Sequence, residues 1–293
     1  MKSFGVRFVG MISLVLFLAF SIVAKSETTK LNKDKIKPEE LIAKHLDSIG
    51  SAEARVGLKS IMAIGASKAI FKGRGKGLTQ GIVVLASQGV RNMIGMKFKN
   101  PDYQYETMGY DGKNLTIGFS KPGTRSTLGG FLRVNKKTFK RGLMGGVLST
   151  SWELYNYDKK RGKLKYSGTK KSENGTLIKF DYNPKGGSDL SVTLFFDSTT
   201  YRHMKTEYRR VITSKLGTNV DNSASQSETR YKMTEQFGDF RVENGLTLPH
   251  DYNLYLEILT GNGSIAYDWT MDLRNFIFNQ NHDVSQFRVD AVN

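Results

Sequence analysis

No cysteine occurs anywhere in the sequence. That excludes a disulfide framework, a thiolate nucleophile, a cysteine zinc site and a lipid-modified N-terminal cysteine, so stability has to come from packing. Histidine is almost as scarce. His45, His203, His250 and His282 are scattered without metal-ligand spacing, and neither HExxH nor GxSxG is present. His203 and His250 could each fold next to a carboxylate, but both fall in strand-like runs, where a hydrogen-bonded structural histidine is the simpler reading. The residues therefore call for no catalytic site, no metal and no cofactor. Lys72-Gly73-Arg74-Gly75-Lys76-Gly77 superficially suggests a phosphate loop, yet it lacks the GxxxxGK[ST] spacing and leads into a β pattern rather than a helix.

Acidic residues are the minority: 27 Asp and Glu face 44 Lys and Arg, a net charge of +17. Long hydrophobic runs are also missing, apart from Met11 to Val23. Lys2 and Arg7 precede that run and Ala24-Lys25-Ser26 follows it, the pattern of a secretory signal peptide spanning residues 1–26. The alternative is a membrane anchor, for which the run is short. Removing it takes away three cations and no acid, leaving +14. Such a balance points to anionic surroundings such as phospholipid headgroups or envelope polymers, and export makes nucleic acid the least fitting partner.

Residues 27–37 are polar and lysine-rich without periodicity and read as a flexible arm; residues 38–293 read as one domain. Pro38-Glu39-Glu40 opens a helix whose apolar side is Leu41, Ile42, His45, Leu46 and Ile49, ended by Gly50. A second short helix is expected from Ala52 to Lys59. Strand patterns then follow in series: 69–71, 82–85, 93–98, 103–110, 115–119, 164–166, 178–182, 190–196, 201–212, 231–242, 246–259 and 265–273. With no helix between most of them, they imply a mainly β protein built on a large antiparallel meander. In Phe240 to Glu257 the apolar residues Phe240, Val242, Leu246, Leu248, Tyr252, Leu254 and Leu256 all fall on even positions. To keep them on one face, a three-residue turn Glu243-Asn244-Gly245 is expected, pairing Val242 with Leu246. Pro249 lacks a donor and suggests either an edge at that point or a position that faces away from its neighbour.

Gly123 to Ser151 interrupts the β pattern. Gly129-Gly130 and Gly145-Gly146 bracket Lys136, Lys137, Lys140 and Arg141 beside Phe131, Leu132, Phe139, Leu143 and Met144, which suggests a short amphipathic helix between glycine hinges. The four cations are candidates for headgroup or other anionic contact, although a solvated helix face is the simpler reading. Residues 215–227 read as a long loop.

Several blocks resemble the outer-membrane lipoprotein-sorting proteins, the LolA/LolB-like periplasmic carriers. They are the helix running into Ile49-Gly50, the strand near Ala69 to Gly73, Leu164-Tyr166-Ser167-Gly168, Leu194-Phe195-Phe196-Asp197 with Thr199-Thr200-Tyr201-Arg202, and Phe237 to Val242 followed by Asn244-Gly245-Leu246 and Leu248-Pro249-His250. The resemblance implies a curved antiparallel sheet forming an unclosed half-barrel, with the N-terminal and inserted helices covering its concave face. It also implies non-catalytic binding of lipid or lipoprotein acyl chains in the periplasm. Each CH₂ removed from water contributes about 0.8 kcal/mol, enough to hold a tail without chemistry. The expected wall is Leu85, Met93, Met96 and Phe119, with Phe139, Leu143, Met144 and Leu148 on a lid. The alternative is an interaction or sensor module that binds an envelope protein partner or an anionic polymer through its basic surface. An enzyme and a transmembrane β-barrel remain further readings, the latter opposed by the N-terminal helices and the basic strand faces. Membrane contact is expected to be peripheral.

Overall fold

Two helices lead into the sheet: α1, Pro38–Ile49, and α2, Ala52–Gly57. The computed structural model describes residues 35–73, 76–213 and 228–289, all within one compact unit. The expected signal peptide, most of the arm and the 215–227 loop lie outside the described residues. Proline at the first helical position and Glu39 and Glu40 in the first turn suit the start of α1, whose Leu41, Ile42, His45 and Ile49 are buried. No described helix is long and apolar enough to cross a membrane.

Among the described residues twelve strands follow: β1 Ser60–Lys72, β2 Gly77–Gln88, β3 Arg91–Asn100, β4 Tyr103–Tyr110, β5 Leu115–Ile117, β6 Gly162–Ser172, β7 Gly175–Pro184, β8 Ser191–Asp197, β9 His203–Ile212, β10 Thr229–Glu243, β11 Leu246–Thr260 and β12 Gly263–Phe278. They form one antiparallel sheet in the order β5-β4-β3-β2-β1-β12-β11-β10-β9-β8-β7-β6. The first and last strands therefore meet in the middle. The free edges, β5 and β6, are consecutive in sequence, so the chain between them must travel from one edge of the sheet to the other. That chain carries α3 (Thr127–Val134), α4 (Lys136–Phe139) and a 3₁₀ turn at Gly146–Leu148. It reaches side chains on β2, β4, β7, β9 and β10. One short segment can touch strands so far apart in the sheet only if the sheet curls around it. The architecture is an unclosed half-barrel with the inserted segment as a plug in its concave face.

Alternation sets which side chains face in. On β11, Leu246, Leu248, Tyr252, Leu254 and Leu256 are fully buried. On β12, Trp269, Met271 and Leu273 are buried, and then a bulge shifts the parity. Ile64 pairs with Asn275 and Gly65 with Leu273, so Arg274 is extra and Phe276 and Phe278 take over the inner face.

The turn expected at Glu243 to Gly245 is corrected by the structure. Val242 pairs with Thr247 and Glu243 with Leu246, leaving a two-residue turn with Asn244 at φ 50° and Gly245 at φ 76°. Two left-handed residues in succession match the twist of the flanking strands, a preference stronger than the local apolar pattern. The inner face of β10 is consequently the odd series Met233, Glu235 and Phe237. Phe240 and Val242 turn outward, with Val242 71% exposed and the Arg202 guanidinium 5.3 Å from the Phe240 ring centroid. Pro249 lies in an interior strand, yet the β11–β12 ladder begins only at Asp251, so its missing donor breaks no pairing with β12. Near the C-terminus, Val284–Phe287 forms a 3₁₀ turn that packs against β3 and β4.

Candidate functional site: the concave face and its plug

The plug is fastened to the sheet through three buried carboxylates, two of which stand at core-facing strand positions. Glu106 on β4 alternates with Met108. Its Oε1 accepts the Ser126 hydroxyl at 2.7 Å and its Oε2 the Tyr103 hydroxyl at 2.5 Å. Ser126 is the N-cap of α3, accepting the Gly129 N–H at 2.8 Å, so one hydroxyl both starts the helix and ties it to β4. Tyr103 in turn accepts the Trp269 indole N–H at 2.8 Å.

Glu235 on β10 is fully buried. Its Oε1 accepts the Gly145 backbone N–H at 2.7 Å and the Tyr252 hydroxyl at 2.6 Å, and its Oε2 the Tyr208 hydroxyl at 2.6 Å. Three donors favour the anion, but burial opposes it and prevails, raising the carboxyl to about 7. Glu106 is likewise raised to about 7 by burial, against the pull of Tyr103 and Ser126. The third carboxylate belongs to the plug: Glu153 accepts the Tyr182 hydroxyl of β7 at 2.7 Å and lies 3.5 Å from Arg161, and burial raises it too.

Between these anchors Trp152 links the plug to the N-terminal helix. Its indole N–H donates to His45 Nε2 at 3.0 Å, which leaves the His45 proton on Nδ1, 3.1 Å from the Tyr201 carbonyl oxygen. Burial lowers His45 to about 4. His203 stacks on Trp152, with centroids 4.7 Å apart and planes at 22°, and is pushed well down by burial. Its Nε2 is 2.9 Å from the Thr206 hydroxyl, whereas its Nδ1 has no hydrogen-bond partner among the described residues. Gly146, at φ 50°, lies directly against it: a Cβ there would sit 2.9 Å from that nitrogen and 3.1 Å from the Phe237 ring. His250 Nε2 lies 3.2 Å from Glu243 Oε1, but it makes no aligned hydrogen bond. Among the described residues no group of three or more His, Cys, Asp or Glu is placed to hold a metal.

Most of the expected wall and lid residues come together. Leu85 and Met96 are buried on the inner face, and Phe139, Leu143, Met144 and Leu148 are buried on the plug, all in one core. Met93 departs from the expected wall. Leu85 pairs with Ile94, so Ile94 and Met96 face inward and Met93, one residue away, faces out. Phe119 is half-buried outside that core, with the Arg125 guanidinium 4.5 Å from its ring centroid. Lys136 and Lys137 are exposed on α4. Lys140 donates to the Lys113 carbonyl oxygen at 2.6 Å, and Arg141 to that of Lys185 at 3.2 Å.

Sequence reasoning missed the carboxylate anchors and the Trp152–His45–His203 group. A signal was present: Glu106 and Glu235 occupy core-parity positions beside Met108, Met233 and Phe237, where an acid is expected only if it is held by donors.

No protein-family model matches the sequence, and no curated protein matches it. Solved structures do. A LolA superfamily protein from Nitrosomonas europaea is 12% identical, with a TM-score of 0.46, over 86% of this chain and 97% of that one. An outer membrane lipoprotein-sorting protein domain from Vibrio parahaemolyticus is 10% identical at 0.38, over 85% and 96%. MucB, in its complex with MucA from Pseudomonas aeruginosa, is 9% identical at 0.22, over 82% and 99%. These are likenesses of fold at low identity, and the half-barrel assignment rests on this chain's own strand order and packing.

Proposed function

We propose that the protein is a non-catalytic, exported binder or carrier of lipid or lipoprotein acyl chains, working in the periplasm. The observation that supports this reading most directly is how the apolar concave face is covered. The covering layer is the N-terminal helix α1 together with one excursion between the two edge strands, whose apolar side chains pack directly on that face, rather than a second sheet. Displacing Phe139, Leu143, Met144 and Leu148 would open Leu85, Met96 and their inner-face neighbours to an acyl chain. The methylenes of that chain would fill the space the plug vacates, each contributing about 0.8 kcal/mol on leaving water.

The test is native mass spectrometry, with organic extraction, of the mature protein purified from its exported compartment without detergent. Near-stoichiometric phospholipid or acylated peptide is the expected result and names the cargo. An apo mass that stays unchanged after incubation with lipid would overturn the reading.

A further inference from the structure

Five cations from three separate stretches of chain converge on one open hollow beside the plug. Lys137, Lys140, Arg141, Arg161 and Lys185 line a space of about 450 Å³, completed by Thr138 and the turn from Pro184 to Gly187. The segment of α4, the approach to β6 and the β7–β8 connection each contribute, so the charge cluster is made by the fold rather than by a run of basic sequence.

Among the described residues no carboxylate lines the hollow. Of the acids nearby, Glu153 holds Tyr182 and pairs with Arg161 at 3.5 Å from behind the hollow, and Asp189 is 3.5 Å from Arg210. Lys137, Lys140, Arg141 and Lys185 have no ion pair among the described residues. The three stretches are also tied to one another. Arg141 donates to the Lys185 carbonyl oxygen at 3.2 Å, the Lys185 N–H donates to the Arg161 carbonyl oxygen at 2.8 Å, and Thr138 and Ser188 share a hydroxyl contact at 2.9 Å. Like charges held together around an open space repel one another, and an anion of matching size removes that repulsion. Two guanidinium groups supply planar paired donors for phosphate oxygens, and three ammonium groups supply point charges.

We propose that this hollow binds a phosphate group carrying two or more negative charges, a phosphate monoester or a pyrophosphate. A neighbouring hollow shares Lys140, Arg141 and Arg161 and runs along the plug past Trp152 and Glu153. A phosphorylated headgroup held here would therefore keep its acyl chains beside the segment that covers the concave face. Only this lipid source rests on the carrier reading; the anion site stands on its own geometry.

The experiment is calorimetric titration of the full mature protein with inorganic pyrophosphate, with sulfate at equal ionic strength as the reference. The double variant Lys137→Gln/Lys185→Gln is compared with Lys97→Gln/Lys171→Gln, which removes the same charge from exposed positions outside the hollow. Both are first checked for an unchanged melting temperature. The first pair should weaken pyrophosphate binding by about tenfold or more. The second should weaken it by about twofold at most, since exposed distant charges are screened. Absence of pyrophosphate binding, or equal losses in both variants, would overturn the site. Sedimentation with phosphatidylcholine vesicles, with and without phosphatidic acid, then separates the sources. Selective retention on phosphatidic acid, lost in the first variant, upholds a lipid headgroup, whereas pyrophosphate binding without vesicle retention upholds the site for a soluble phosphate ester. If lipid is absent from the native mass spectrum but pyrophosphate binds, the carrier reading fails and the anion site survives.

Discussion

The Trp152 indole N–H donates to His45 Nε2 at 3.0 Å, joining the plug to a helix more than a hundred residues earlier in the chain. Replacing Trp152 by Phe keeps much of the apolar volume and leaves His45 Nε2 buried without its donor. The expected loss is about 1–3 kcal/mol of unfolding free energy, measured by urea titration. A change near zero would mean that the hydrogen bond contributes nothing beyond ring packing.

Glu235 and Glu106 are expected to make stability fall as pH rises. Each carboxyl keeps its proton in the folded state up to about 7, while the unfolded chain releases it near the ordinary glutamate value of 4.5. Their stabilising contribution is therefore complete below 4.5 and lost as pH rises through about 7, to the extent of roughly 3 kcal/mol per group. His45 has the opposite sign. Its folded value of about 4 lies below the unfolded 6.5, so its contribution is present above 6.5 and lost as pH falls through 4. The two effects oppose each other in mildly acidic solution, and Glu235→Gln should remove the carboxylate's share of the slope between pH 5 and 7. An unaltered slope in chemical denaturation of that variant would contradict the assignment.

Leu143→Ala should loosen the plug before it loosens the sheet. Leu143 is fully buried, and truncation at such a site costs about 2–5 kcal/mol. Hydrogen exchange of residues 127–150 is expected to accelerate while that of β10 to β12 holds. Uniform acceleration would show that plug and sheet open as one unit, which is incompatible with a displaceable cover.

Two glycines of the plug should respond in opposite directions to alanine. Gly146 is left-handed, and a Cβ there would press on His203 and Phe237, so Gly146→Ala is expected to destabilise by roughly 1–3 kcal/mol. Gly130 lies in α3 with nothing within 4 Å of a Cβ, and Gly130→Ala should stabilise by about 0.5–1 kcal/mol. Thermal melts of the two variants check both directions.

Most strands were legible because residues of one parity are apolar over long runs, as in Leu246 to Leu256 and Ile265 to Leu273. What failed was register. Asn244-Gly245 forms the turn its backbone preference dictates and sends Val242 to solvent while Phe240 is left half-buried, so an apolar pattern at a strand end is overruled by turn geometry. β1 begins at Ser60 rather than Ala69: Ile61 to Ile64 is apolar at both parities and so shows no alternation, Gly65, Ala66 and Ser67 then interrupt it with small side chains, and pairing with β2 and β12 makes one strand of the whole. The hollow was half legible. Lys137, Lys140 and Arg141 stood out, but Arg161 and Lys185 join them only through the packing of α4 against the β7–β8 connection, a long-range relation that local pattern does not encode.

The strand order also delays the moment at which the molecule can complete itself. β1 pairs with β12, setting Ile61 opposite Phe278, so the central seam of the sheet joins segments more than two hundred residues apart. β1 to β5 and β6 to β12 are each chains of neighbouring hairpins that can form from local contacts, while the seam carries the largest loop-closure entropy in the fold. Until the last strand has been delivered, β1 keeps an unpaired edge carrying Ile61, Ala63 and Ala69. A polypeptide released from its N-terminus onward would thus stay unfinished, with that edge open, until Gly263 to Phe278 emerges and zips the two halves together.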